Sequence, residues 1–211
     1  MKTEDLIRAM AADTTRQAGT ERVVALGLPL ALIAAASLLW LALGFRGDLA
    51  QTMEKPLQAL RLMLALALAW AGLGMVLGLA RPTGAARRSV ALLAGVAVVA
   101  VLLWLQIWYT TPGDSVVSAL LGNTLAVCLI AIPTLSILPA LCLFAAVRAG
   151  ATTRPGLAGA GIGLAAGGFA AAIYSLHCTE DNPLFYVTWY GLGIAAVTLG
   201  CSLAGQRLLR W

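Results

Sequence analysis

The sequence predicts an all-α membrane protein, a bundle of six transmembrane helices with both termini in the cytoplasm. Of its 211 residues 61% are apolar and 11% charged, where a soluble domain carries about a quarter charged. Mean hydropathy is +0.90. Apolar runs recur close to the ~20 residues that a helix needs to cross a hydrocarbon core about 30 Å thick. Lipid is therefore the expected solvent for most of the chain, and the spans leave no room for a soluble domain larger than a tail. The expected division is a cytoplasmic segment over residues 1–21 and a transmembrane domain over 22–211.

The opening segment, MKTEDLIRAMAADTTRQAGTE, is polar and mixed in charge. Thr3 is placed to cap a short helix, with Glu4 and Asp5 in its first turn, where acids suit the helix dipole. Leu6, Ile7 and Met10 would then form a small apolar patch. A tail or interfacial helix explains that pattern; a docking segment for a partner is the sharper reading. The first span, 23–45, is too long for the roughly 7–15-residue core of a secretory signal and is expected to remain in the membrane.

The second span runs over 57–80 and carries Gly74 and Gly78. The third, 89–108, ends among Trp104, Trp108 and Tyr109. The fourth, 123–147, contains Pro133 and Pro139, which remove two backbone donors and should bend it. The fifth, 156–175, repeats Gly159, Gly163 and Gly167, a small-residue face that permits close helix approach within the chain or between copies. The sixth, 184–206, opens near Tyr186, Trp189 and Tyr190. These aromatics, with Trp40, fit an interfacial belt.

Basic residues set the orientation. Lys2, Arg8, Arg16, Arg22, Arg81, Arg87, Arg88, Arg148, Arg154, Arg207 and Arg210 fall on one side; Arg46, Lys55 and Arg61 fall on the other. The positive-inside rule places the richer side, and both termini, in the cytoplasm. The same scatter forms no basic stripe, so no nucleic-acid partner is expected.

Several chemistries are excluded. No acidic residue sits in the middle of a span, and Gln106 and Asn123 lie near helix ends, so the marks of a proton relay are missing. No phosphate loop, HExxH or CxxC motif occurs, and the single histidine, His177, excludes a bis-histidine haem site within one chain. A quinone-linked disulfide oxidase would normally carry a close cysteine pair in an outer loop, which is also missing. No enzyme activity and no cofactor are expected.

Four cysteines remain. Cys178 lies in the last outer loop, in LHCTEDNP, and Cys128 in the outer part of the fourth span. Both sit toward the oxidising face, where a disulfide persists. Cys142 and Cys201 lie toward the inner halves of their spans and read as small buried hydrophobes. His177, Glu180 and Asp181 stand beside Cys178 as auxiliary ligands for a soft or borderline metal such as a heavy-metal ion. The residues alone leave three functions open: a regulatory binding protein, a small transporter or exporter, and a thiol-redox membrane protein.

Three stretches narrow the choice. MKTEDLIRAMAAD, PTLSILPA and HCTEDNPLFYVTWYGLGI resemble the NrsF-type family of six-helix bacterial membrane anti-sigma factors, and the similarity runs over essentially the whole chain. The resemblance implies a protein of the bacterial inner membrane. It would hold an extracytoplasmic-function sigma factor inactive on the cytoplasmic side and release it under stress. It further implies that Cys128 and Cys178 are a sensing pair for metal or oxidant; Cys142 and Cys201 inherit no role. With such a partner the docking reading of Leu6, Ile7 and Met10 is the expectation, on a surface of residues 1–21 and the loops around Arg87 and Arg148.

Overall fold

The computed structural model describes residues 19–81 and 86–209, together with Glu4. Leu6, Ile7 and Met10 lie outside the described residues. The helices are α1 (Thr20–Ala42), α2 (Leu49–Met53), α3 (Pro56–Leu79), α4 (Arg87–Thr110), α5 (Gly113–Leu121), α6 (Leu125–Arg148), α7 (Pro155–Tyr174) and α8 (Pro183–Leu208). Six of the helical segments are long and apolar enough to cross a membrane, so the chain is a multi-pass membrane protein. The expected spans agree with α1, α3, α4, α6, α7 and α8 to within a turn. Two short helices were not expected. Both α2 and α5 occupy connections read as irregular, and their 5 and 9 residues are too few to show a period inside a loop.

Proline punctuates the helix starts. Pro56, Pro155 and Pro183 each stand in the first turn, where a missing N–H costs nothing. Pro133 and Pro139 lie inside α6, which nevertheless continues as one helix. There Thr134 Oγ1 donates to the Ile130 carbonyl at 2.7 Å and Ser136 Oγ to the Pro133 carbonyl at 2.7 Å.

The centre of the bundle is α7, buried along nearly its whole length and packed on α8, α3 and α6. Its glycines explain why. A Cβ added at Gly159 or Gly163 would lie 2.3 Å from the Cys201 carbonyl oxygen or 2.5 Å from Thr198 Cα, both on α8. On another side, a Cβ at Gly168 would lie 2.6 Å from the Ala69 nitrogen of α3. The spacing-four glycine face is thus an intramolecular contact. Backbones that close gain dispersion contacts that larger side chains would forbid, which matters where lipid supplies no hydrophobic drive. A Cβ on Gly72 would lie 2.3 Å from the Ala165 nitrogen. Gly72→Leu should therefore cost at least the ~1–3 kcal/mol typical of overpacking, read as a lowered Tm and loss of monodisperse protein in detergent.

Outward-facing Leu30, Leu41, Met63, Leu102, Ile130 and Leu199 present the bundle to lipid. The two ends differ. At the proximal end, where Thr20 opens α1 and Leu208 ends α8, Ala151 N donates to the Ala80 carbonyl at 3.0 Å, Ser202 Oγ donates to the Gly156 carbonyl at 3.1 Å, and Arg81 pairs with Glu21 on the surface. The distal end gathers the connections around 43–55, 111–124 and 175–182, and holds the chemistry.

Candidate functional site

The distal site is built around the connection between α7 and α8. After Tyr174 the chain makes one further tight turn: His177 N and Cys178 N both donate to the Tyr174 carbonyl, at 3.0 and 3.1 Å. This turn folds Cys178 back over the end of α7, where it is 1% exposed. The connection ends at Asn182, whose Oδ1 accepts from Leu184 N at 2.9 Å and caps α8.

Two arginines latch this loop. Arg61, on α3, is 1% exposed. Its Nη1 donates to the Glu180 carbonyl at 2.8 Å and its Nη2 to the Ser175 carbonyl at 3.1 Å. Arg46, after α1, donates from Nη1 to the Cys178 carbonyl at 3.0 Å and to Asp181 Oδ1 at 2.8 Å. The planar, permanently charged guanidinium fork suits such a cluster of carbonyls and carboxylates. Gln58 Nε2 adds a bond to Asp181 Oδ2 at 2.7 Å, and Arg46 N bonds the Leu176 carbonyl at 3.1 Å. His177 Nδ1 lies 3.0 Å from the Gly44 carbonyl oxygen. Glu180 Oε1 accepts from Asn123 N at 2.7 Å, at the entry to α6. That approach requires glycine next door: Gly122 has φ 55°, and a Cβ on it would lie 2.6 Å from the Phe185 ring and 2.9 Å from the Glu180 carboxyl. The loop is thus fastened to α1, α3 and α6 at once. Arg46 and Arg61, which stand apart in the charge count, are there to meet the loop.

Arg46 also holds Asp48, donating from Nε to Oδ1 at 2.7 Å. This bond raises the Arg46 pKa and lowers that of Asp48 from 3.8 to about 2. A carboxyl depressed on folding stabilises the fold fully above its ordinary value, and that share is lost as pH falls through the folded value. The window is therefore from about 4 down to about 2. The Arg46–Asp48 pair should survive mild acidification, and Asp48→Asn should flatten the loss of Tm in that window alone, measured by Tm against pH for both proteins.

Beneath the loop lie the sulfurs. Cys128, in the first turn of α6, is 0% exposed and Cys178 1%; Cys128 N donates to the carbonyl of Thr124, whose side chain faces Cys178. Both are free thiols. Thr124 Oγ1 is 3.8 Å from Cys178 Sγ. Tyr174 and Tyr190 pack with ring centroids 5.6 Å apart and planes tilted by 58°, and both hydroxyls are buried without a hydrogen-bond partner among the described residues. Sequence depth groups the two cysteines toward one face, and both are buried at the distal end of the bundle.

The expected auxiliary ligands are engaged elsewhere. His177 faces Gly44, Glu180 holds α6 and Asp181 holds Arg46 and Gln58. Among the described residues no group of three or more His, Cys, Asp or Glu side chains converges on a metal-sized point. Cys142 and Cys201 sit apart from the pair. A Cβ on Gly27 would lie 2.8 Å from Cys142 Sγ, which is a packing contact between α1 and α6. Sequence reasoning missed Arg46, Gln58, Arg61, Tyr174 and Tyr190. Arg61 left a signal: a charge inside a span is expensive and marks function or a specific partner.

Fold and site define a class: a multi-pass helical membrane protein whose polar chemistry, among the described residues, gathers around a thiol pair under a latched loop. The chain belongs to the family described as "Negative regulator of sigma F", which matches residues 9–211. It is similar to the "Anti-sigma-F factor NrsF" of Caulobacter vibrioides (strain NA1000 / CB15N), 38% identical with 100% of each chain covered. It is also similar to the "Probable anti-sigma-F factor NrsF" of Azospira oryzae (strain ATCC BAA-33 / DSM 13638 / PS), 33% identical with 100% of each chain covered. No solved structure matches the chain.

Proposed function

We propose that the chain is an anti-sigma factor of the bacterial inner membrane. It holds an extracytoplasmic-function sigma factor at its cytoplasmic face and releases it when Cys128 and Cys178 are chemically joined. Membership of the sigma F negative-regulator family supports the regulatory role, and the positive-inside count supports the orientation. The observation that supports the switch is two buried sulfurs at one end of the bundle, one in the first turn of α6 and one in the loop that arginines tie to α1 and α3.

Oxidation forms one S–S bond; two electrons and two protons pass to a two-electron oxidant. A heavy-metal ion could instead bridge the two sulfurs as thiolates, with His177, Glu180 or Asp181 leaving their present partners to complete the shell. Either event draws the loop toward α6. Because the loop is fastened to α1 and α3 as well, their cytoplasmic ends move with it; Leu6, Ile7 and Met10 contribute to the sigma-factor surface. A two-state coupling of about 1–3 kcal/mol changes affinity roughly 5–150-fold, enough for release. Catalysis and transport are not needed.

The test is co-purification. Protein solubilised in detergent under reducing conditions should retain its sigma factor in a stable complex, and recovery of each protein alone would overturn the assignment.

A further inference from the structure

We propose that the sigma factor docks through an acidic segment on a plate of arginines at the proximal end, and that Glu21 holds the place of one of its carboxylates on Arg81. This rests on the anti-sigma reading and names the chemistry of the partner's contact. The plate is built from helix ends. Arg22 lies in the first turn of α1, Arg81 follows α3, Arg148 ends α6, Arg154 precedes α7 and Arg207 lies in the last turn of α8, and all five are exposed. These ends are packed together. Ala151 N donates to the Ala80 carbonyl at 3.0 Å. A Cβ on Gly150 would lie 3.1 Å from Thr20 Oγ1, and one on Gly156 would lie 3.2 Å from Gln206 Cγ. The one acid on these helix ends is Glu21.

Orientation asks only for positive charge, and lysine serves it as well as arginine. Every cation on the described proximal helix ends is arginine, the side chain whose planar fork matches a carboxylate. Among the described residues only Arg81 of the five is in an ion pair, and its partner is Glu21. That pair shows what the plate accepts. A single bond from Nη2 joins the two, and their side chains are 69% and 72% exposed. An ion pair so open to water contributes little, so a carboxylate that brings further contacts displaces it. Room for one lies alongside: a hollow of about 240 Å³ against Arg81, walled by Thr20, Leu77 and Ala80. Anionic lipid headgroups are the rival occupants of basic residues at a membrane surface, and they reach the rim of the bundle. Arg154 opens α7, the helix that packs on α3, α6 and α8 at the centre. It therefore stands over the middle of the end face, where a protein reaches and a bilayer does not.

The experiment titrates reduced protein in phosphatidylcholine nanodiscs, which carry no net charge, with the sigma factor recovered in the co-purification. For wild type, Kd should rise steadily as salt goes from about 50 to about 300 mM. Arg81→Gln combined with Arg148→Gln and Arg154→Gln should keep the wild-type Tm, raise Kd about ten-fold and flatten the salt dependence. Glu21→Gln should do the opposite and lower Kd about two- to five-fold, a gain of affinity that no damage to the fold produces. In an Arg81→Gln background the same change should gain nothing, because the two side chains act as a pair. Equal Kd for wild type and the triple variant would overturn the plate and leave the anti-sigma reading standing; arginines that serve only lipid or topology give that result. A Glu21→Gln protein that binds no tighter than wild type, or a gain that persists without Arg81, would overturn the part given to Glu21. If no sigma factor is recovered with wild type, the anti-sigma reading falls and the plate with it.

Discussion

Arg61→Leu should unlatch the distal loop and produce the largest stability loss of any single substitution at this site. Arg61 is 1% exposed and donates to two buried carbonyls, and its guanidinium lies 3.6 Å from Asp181 Oδ1. Leucine keeps the bulk and the apolar walls but leaves the Glu180 and Ser175 carbonyls without their donor. Each buried group stripped of its partner costs about 1–3 kcal/mol, while Asp181 keeps Arg46 and Gln58. A total of several kcal/mol is a large share of the ~5–15 that holds a domain together. Tm should fall by many degrees. Short of unfolding, Cys178 should change from inert to reactive toward a membrane-impermeant maleimide. Arg61→Lys should recover only part of the loss, because a single ammonium cannot reproduce the fork that spans both carbonyls.

The second large effect concerns the thiols. Cys128→Ser with Cys178→Ser should abolish release of the sigma factor under oxidant or heavy metal while leaving its capture intact. Serine is close to cysteine in size, and both positions are buried, with Thr124 Oγ1 3.8 Å from Cys178 Sγ, so the fold should persist with a modest cost for the added polarity. Reporter transcription from the sigma-dependent promoter should stay at its repressed level through the stress. Each single substitution should give the same phenotype, since one sulfur can form no disulfide within the chain. Cys142→Ser and Cys201→Ser, at the contacts with α1 and with Gly159, should respond as wild type.

How much of this was legible in the sequence varies with the range of the interaction. Span positions follow from local hydropathy, and all six emerged within a turn. The central place of α7 was half legible: Gly159, Gly163 and Gly167 announced a close approach, but only the fold shows that Thr198 and Ile194 of α8 fill that face while Gly168 meets α3. The cysteines could be sorted by depth, because depth in a membrane is a one-dimensional quantity that the topology supplies. The latch could not. Arg46 and Arg61 meet their partners across 135 and 119 positions of chain, and no pattern within a window reports such a pairing. Glu180 and Asp181 were therefore read beside Cys178 as ligands, where the structure shows them holding α6 and the arginines.

The most direct test of the account is sigma-factor affinity measured on one preparation in two redox states. The full-length protein in nanodiscs would be titrated with the sigma factor while reduced, and again after diamide has joined Cys128 to Cys178, with the bond verified by peptide mass spectrometry. The account expects Kd to rise at least five-fold on oxidation and to return when the bond is reduced. Identical affinities with the disulfide in place would contradict it.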